Sequence, residues 1–169
     1  MKQTVRRTRV EDIAKCMELY DAARGIMRAS GNMMQWTNGY PSRNVLEEDM
    51  KNGNSYVISD ETDIPIATFA CIVGEDPTYS YIEGGEWLQP SLLYATIHRL
   101  ASTPETHGIA KIAFDFAQTL APSLRADTHA DNHIMQHILE KHGFSKRGII
   151  YLANGDPRIA YQLFNTYLP

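Results

Sequence analysis

Apolar side chains recur along this chain at two spacings, and each change of spacing predicts where one element ends and the next begins. Gln3 to Arg7 reads as a first strand. Thr8-Arg9-Val10-Glu11 has capping-box spacing ahead of a helix whose Ile13, Cys16, Met17, Tyr20, Ala23 and Met27 share one face. The run SGNMMQWTNGYP, from Ser30 to Pro41, breaks that period with glycine, asparagine and proline, which predicts a loop. Ser42 caps a second helix carrying Leu46 and Met50, and Asn52-Gly53-Asn54 ends it. Strands follow at Ser55 to Ser59 and Ile64 to Val73, joined by the polar turn Asp60 to Asp63. Glu75 to Pro90 keeps no period and is rich in aromatics and acids.

Tyr94 to Leu100 alternates again, with Tyr94, Thr96, His98 and Leu100 assigned to one face of a central strand. After Ser102-Thr103-Pro104-Glu105-Thr106-His107-Gly108 the spacing becomes helical, through Ile109, Ile112, Ala113, Phe116 and Leu120. Thr103 before Pro104 reads as an N-cap and a first helical residue. Gly108 lets the backbone approach a partner closely, and a helix start offers unpaired N–H groups to an anion. On these residues alone the segment is either a phosphate cradle or an ordinary strand-to-helix connection. Leu124 to Thr128 is a short strand. Asp131 or Asn132 then begins a helix with Ile134, Met135, Ile138 and His142 on one side and Gly143 at its end. Phe144 to Leu152 and Arg158 to Phe164 are strands around the hairpin signal Asn154-Gly155-Asp156-Pro157. The order βααβββαβαββ predicts an α/β sheet with helices on both faces. With no repeat or linker, residues 1–169 read as a single domain.

Composition narrows the function. The chain is 43% hydrophobic and 21% charged, with a net charge of −4 and no block of like charge, so no electrostatic footprint for nucleic acid is present. The start MKQTVRRTRVED has no apolar segment of a signal peptide, and Ile64 to Val73 is too short to span a bilayer. Cys16 and Cys71 fall in apolar patterns without metal-ligand spacing, so they read as buried free thiols suited to a cytoplasmic protein.

Two motifs carry a resemblance. The loop Glu105-Thr106-His107-Gly108-Ile109-Ala110 is similar to the Gln/Arg-x-x-Gly-x-Gly/Ala loop of the GCN5-related N-acetyltransferase (GNAT) superfamily, with Glu105 departing from the commonest first residue. Asn132 to Phe144, NHIMQHILEKHGF, resembles that family's Asn-led helix ending in Glu-Lys-x-Gly-Phe. The resemblance covers essentially the whole chain. It implies a mixed, mostly antiparallel sheet with a V-shaped opening between the two central strands, and acetyl-CoA as co-substrate within it. Pantetheine would pair with backbone around Leu100 and Ser102, the diphosphate would sit on amides of His107, Gly108, Ile109 and Ala110, and Asn132 would contact the cofactor arm.

Acetyl transfer from a thioester to an amine needs a base, donors for the developing oxyanion and a means for the thiolate to leave. A backbone N–H near Leu100 can serve the oxyanion. His98 is the first candidate base, since an imidazole titrates naturally near roughly 6.5 and some amine acetyltransferases of the family carry a catalytic histidine at the matching position. The alternative for His98 is packing within the sheet. His129 ends the following strand and either points into the opening or bonds the start of the next helix. Glu83 and Glu86 either bind a cationic amine or relay its proton, with Glu83 a catalytic candidate, or are solvated loop acids. Gln35, Trp36 and Tyr40 in the first loop and Tyr79, Tyr81 and Trp87 in the second either wall an acceptor pocket or pack under their own loops. In the family's Asn-led helix a tyrosine often protonates the thiolate; here that position is Leu139, leaving water, His129 or Tyr151 as donors.

The resulting expectation is an acetyl-CoA-dependent N-acyltransferase that uses direct attack in a ternary complex. Its acceptor is a small-molecule or peptide amine, and no metal, nucleic acid or membrane takes part. It would be cytoplasmic, as a monomer or homodimer. The rival is a non-catalytic CoA or acyl-CoA sensor or subunit of the same fold. A histidine-dependent metal hydrolase is disfavoured, because the six histidines form no HExxH-like spacing.

Overall fold

The segments with strand-like alternation pair into one mixed sheet in the computed structural model, which describes residues 2–164. The strands are β1 (Thr4–Arg7), β2 (Ser55–Ser59), β3 (Pro65–Val73), β4 (Tyr94–Ser102), β5 (Ser123–Thr128), β6 (Ser145–Tyr151) and β7 (Pro157–Phe164). They lie in the order β1-β2-β3-β4-β5-β7-β6. Every neighbouring pair is antiparallel except β4 and β5. These two pair only at Tyr94↔Ser123, Ala95↔Leu124 and Thr96↔Arg125, then part, although β4 continues to Ser102 and β5 to Thr128. This is the V-shaped opening, and it leaves one backbone edge of each strand without a partner strand.

Helices cover both faces. On one, α1 (Ile13–Ala29) and α2 (Arg43–Lys51) set Ile13, Cys16, Leu19 and Leu46 against Val57 and Ala101. On the other, α3 (Ile109–Gln118) and α4 (His133–Lys141) bring Ile109, Ala113, Phe114 and Leu139 onto Phe69, Ile97 and Leu124. The β5-β7-β6 half lacks a helix on the α1 side. There the β3–β4 loop folds down and packs Tyr79 and Trp87 on Tyr94, Ile150 and Ala160.

Three local expectations are corrected. The capping box lies one residue later than Thr8–Glu11: Asp12 accepts the Arg9 N–H at 2.7 Å, while the Thr8 hydroxyl bonds Ser55, and a 3-10 turn (Val10–Asp12) leads into α1. Burial works against the Asp12 carboxylate, but N–H donors of Arg6 and Arg9 outweigh it and hold its pKa below the ordinary value. Helix α3 is capped by Gly108 at φ +76°, not by Thr103, because Thr103 instead closes a turn by accepting the Thr106 N–H. Finally, His98 and Leu100 do not share a face. Ala70 pairs with His98 but Thr68 pairs with Ala101, so β4 carries an extra residue there, with Arg99 at φ +54°. Beyond that bulge Leu100 rejoins the layer of Ile97, while His98 packs on the opposite side near Tyr79.

Cys16 and Cys71 are free and buried, and burial pushes their thiols up to about 11 and about 12. Among the described residues no helix is long and apolar enough to cross a membrane.

Candidate active site

The start of α3 makes the first part of the site. Gly108 takes the left-handed conformation that glycine tolerates, and nothing lies within 4 Å of where a Cβ would stand. The N–H groups of Gly108, Ile109, Ala110 and Lys111 find no backbone acceptor among the described residues, so they converge on open space at the positive end of the helix. That space belongs to a cleft of about 540 Å³ between the ends of α1, α3 and α4 and the open edge of β4. Leu100, Ser102, His107, Gly108, Ile109, Ala110 and Asn132 all line it. Its chemistry is that of an anion cradle continued by an apolar trough, the latter made by Met27, Met135 and Ile138.

Asn132 is the N-cap of α4. Its Oδ1 accepts the Met135 N–H and its Nδ2 donates to Gln35 Oε1, each at 3.0 Å. Gln35 in turn takes a bond from Asn32, so the first loop is tied to the cleft wall.

The cleft opens into a narrow junction of about 90 Å³ that shares Met27, Leu100, Asn132 and Met135 with it. The junction passes through the sheet where β4 and β5 part, since it touches Ile97, Phe114 and Leu139 from one layer and Trp36, Tyr40 and His98 from the other. His98 Nε2 lies 3.2 Å from Asp76 Oδ2, and that imidazole N–H holds the Asp76 carboxyl below its ordinary pKa against the opposing effect of burial. Asp127, also on the junction, accepts the Tyr79 hydroxyl at 2.6 Å. Burial and the Asp127 charge push the Tyr79 phenol well above its ordinary value, so it stays a proton donor.

A third cavity, about 340 Å³, adjoins the junction and shares Gln35, Trp36 and Tyr40 with it. Its far wall is Leu152, Asn154, Asp156 and Arg158 from the β6–β7 hairpin. The first loop is held in place by Arg28, whose guanidinium donates to the carbonyls of Asn32, Gln35 and Trp36 at 3.0, 2.7 and 2.9 Å. The Tyr40 hydroxyl accepts from Arg99, which also makes a two-point pair with Asp49.

Other candidates stand apart from these cavities. His129 Nδ1 accepts the Asp131 N–H at 3.0 Å and so orders the turn before α4. Glu83 bridges to Ile149 of β6 and its carboxylate accepts the Tyr151 hydroxyl. Tyr81 is exposed and stacks on Tyr151. Trp87 is buried, donates to the Tyr79 carbonyl and covers the Arg125 guanidinium. Asp76, Asp127 and Arg158 were not singled out from the sequence. Asp127 and Arg158 alternate with apolar neighbours, a pattern that reads as the wet face of a strand, yet a charge in strands so centrally placed was the available signal.

No protein-family model and no curated protein matches the chain. Among solved structures it is similar to an acetyltransferase of the GNAT family from Streptococcus agalactiae, with 33% identity and a TM-score of 0.84 over 96% of this chain and 95% of that one. It is also similar to a GNAT-family acetyltransferase from Listeria monocytogenes, at 20% identity and a TM-score of 0.70 over 96% and 94%. A third similarity is to a chain of the NatC complex bound to Gag peptide and CoA, at 15% identity and a TM-score of 0.58 over 98% and 100%. The last two show the fold alone.

Proposed function

The chain belongs to the GNAT family of acetyltransferases, and on that premise we propose that it transfers an acetyl group from acetyl-CoA directly to an amine, with His98 as the base. The observation that carries this reading is the run of three cavities through the split sheet. A cleft with an anion cradle meets a pocket from the other side at a junction holding His98 and Asp127. The free amides at Gly108 to Lys111 and the open space beside Gly108 fit a diphosphate, and the apolar trough fits a pantetheine arm. Acetyl-CoA supplies an acyl carbon activated as a thioester.

The residues divide the work. Asp127 draws the acceptor's ammonium to the junction. Asp76 holds the proton on Nε2 of His98 and leaves the lone pair on Nδ1, which takes the proton that the ammonium loses. The nitrogen then forms its bond to the acyl carbon as the carbon–sulfur bond breaks, and a backbone N–H near Leu100 on the open edge of β4 stabilises the carbonyl oxygen. Leu139 lines the junction without a proton to give, and neither His129 nor Tyr151 lines any of the three cavities. The thiolate therefore takes its proton from water, tolerable for a thiol of ordinary pKa about 8.5. The buried free thiols accord with a cytoplasmic home.

The test is thiol release from acetyl-CoA across an amine panel. His98→Gln is expected to lower kcat about 10²–10⁴-fold while calorimetry shows unchanged CoA affinity. Wild-type turnover in a folded His98→Gln protein would place the base elsewhere. The apolar Leu139 favours a second reading, an acyl-CoA sensor, which binds the ester and releases no thiol with any amine.

A further inference from the structure

Three shielded guanidinium groups of this protein meet a carboxylate or an aromatic face, and Arg158 meets neither. Arg6 meets Asp12, Arg99 meets Asp49, and Arg125 lies between the rings of Trp87 and Tyr94, 4.1 and 3.7 Å from their centroids. Arg158 is 7% exposed and has no carboxylate or aromatic face among the described residues. Its Nη1 donates to the carbonyl of the preceding Pro157 at 2.8 Å, and no other hydrogen bond of its guanidinium is present there. A guanidinium held this way keeps N–H donors free for an incoming partner. Arg158 lines the third cavity.

The sheet register sets a second charge at a defined separation. Asp127 of β5 pairs with Ala160 of β7, and Arg158 lies two residues before Ala160 on the same face. Asp127 and Arg158 are thus diagonal neighbours on adjacent strands, with roughly 7–8 Å between their backbones. They form no ion pair: Asp127 accepts the Tyr79 hydroxyl and Arg158 turns to Pro157. Asp127 faces the junction and Arg158 the adjoining pocket, and Gln35, Trp36 and Tyr40 line both spaces. Asp156 also lines the pocket, but it is exposed at the hairpin tip, where its carboxylate accepts the Asn154 amide.

We propose that the acceptor is a free amino acid, its ammonium group at Asp127 and its carboxylate in the fork of Arg158. The assignment rests on the transferase reading for the use of the pocket, and the unpaired Arg158 supplies the new element. Two fixed charges of opposite sign, near each other but not paired, match a molecule that carries the complementary charges a few bonds apart. A planar guanidinium receives a carboxylate through two parallel hydrogen bonds, which fixes the amine's direction toward the acyl carbon.

The test is acetyl transfer to each of the twenty standard amino acids, compared with its amide and with the amine lacking the carboxyl group. At least one free acid is expected to exceed both analogues in kcat/KM by about tenfold or more. Arg158→Gln should erase that preference, and Arg158→Lys should keep part of it, with CoA affinity serving as the check on folding in both. Amides or simple amines that match the acids, or a preference that survives in Arg158→Gln, would overturn the assignment. If no amine is acetylated, the transferase reading fails separately, and calorimetry of the same amino acids on the CoA-loaded protein decides. Binding to wild type but not to Arg158→Gln sustains the zwitterion site, and equal or absent binding removes it.

Discussion

Two aromatic-bearing loops of this protein have opposite fates. The α1–α2 loop carries Trp36 and Tyr40 among glycines and uncharged polar residues, and the β3–β4 loop carries Tyr79, Tyr81 and Trp87 among glycines and acids. The first stands over the split between β4 and β5, so its aromatic rings wall a junction and a pocket. The second lies over the β5-β7-β6 half, on the face where no helix packs, and its Tyr79 and Trp87 become the missing layer of core. Aromatic content in a loop therefore reports that something will be covered. Which surface is covered depends on what the sheet leaves bare beneath it. Asp76 and Tyr79 are the points where the second loop still reaches the site, through His98 and Asp127.

Substitutions can break this contrast. The largest effect is expected from Trp87→Ala, which removes a buried ring and uncovers Arg125: a loss of about 3–5 kcal/mol, read by urea denaturation, with acceptor KM unchanged in the folded fraction. A stable Trp87→Ala protein with a raised acceptor KM would make the second loop a wall like the first.

An intermediate effect concerns Asp76 and pH. Its folded pKa is depressed, first by the His98 N–H and then, after the opposing cost of burial, by the Thr78 N–H. A depressed carboxyl contributes stability that is present above its unfolded value of about 3.9 and is lost as pH falls through the lower folded value. Asp76→Asn keeps an oxygen for Thr78 but carries no charge for His98. It should be less stable than wild type near neutrality and lose stability less steeply below about pH 4, as followed by thermal melts across pH. Parallel acid limbs in the two proteins would show that the Asp76–His98 contact contributes nothing to folding.

The smallest effect is expected from Tyr81→Ala. That ring is exposed on the β6 side, so stability should change by no more than about 0.5 kcal/mol and acceptor KM not at all. A several-fold rise in KM would bring Tyr81 into the acceptor wall.

The open amides at the start of α3 are legible because their chemistry is main-chain chemistry. A glycine before a helical period offers either a cradle or an ordinary connection whatever side chains surround it, and the residues named there line one cleft. The helix boundary was misjudged at Thr103-Pro104, where a good capping pair serves a turn inside the loop and Gly108 caps the helix in a conformation closed to most residues. The junction side is harder to read. Period-two reasoning assumes that no residue is inserted, and an arginine at positive φ gives no warning of a bulge, so His98 and Leu100 were set on one face. His129 and Glu83 are acid–base side chains at plausible positions in the chain, but a local backbone amide and a tyrosine hydroxyl hold them. The His129 contact is local and is one of the two that its position allows, whereas the Glu83 contact joins distant segments, which spacing does not encode.

The extra residue at Arg99 also separates two kinds of genetic change. A point substitution there alters one side chain and its bonds to Asp49 and Tyr40. Deleting the codon would remove only the inserted residue, so His98 and Leu100 would become neighbours in plain alternation and still face opposite sides of the sheet. Ala101 and Ser102 would keep their sides, and the loss would again be the bonds to Asp49 and Tyr40. A codon inserted elsewhere in β4, with no bulge to absorb it, would move every later side chain to the opposite face and take Ser102 out of the cleft.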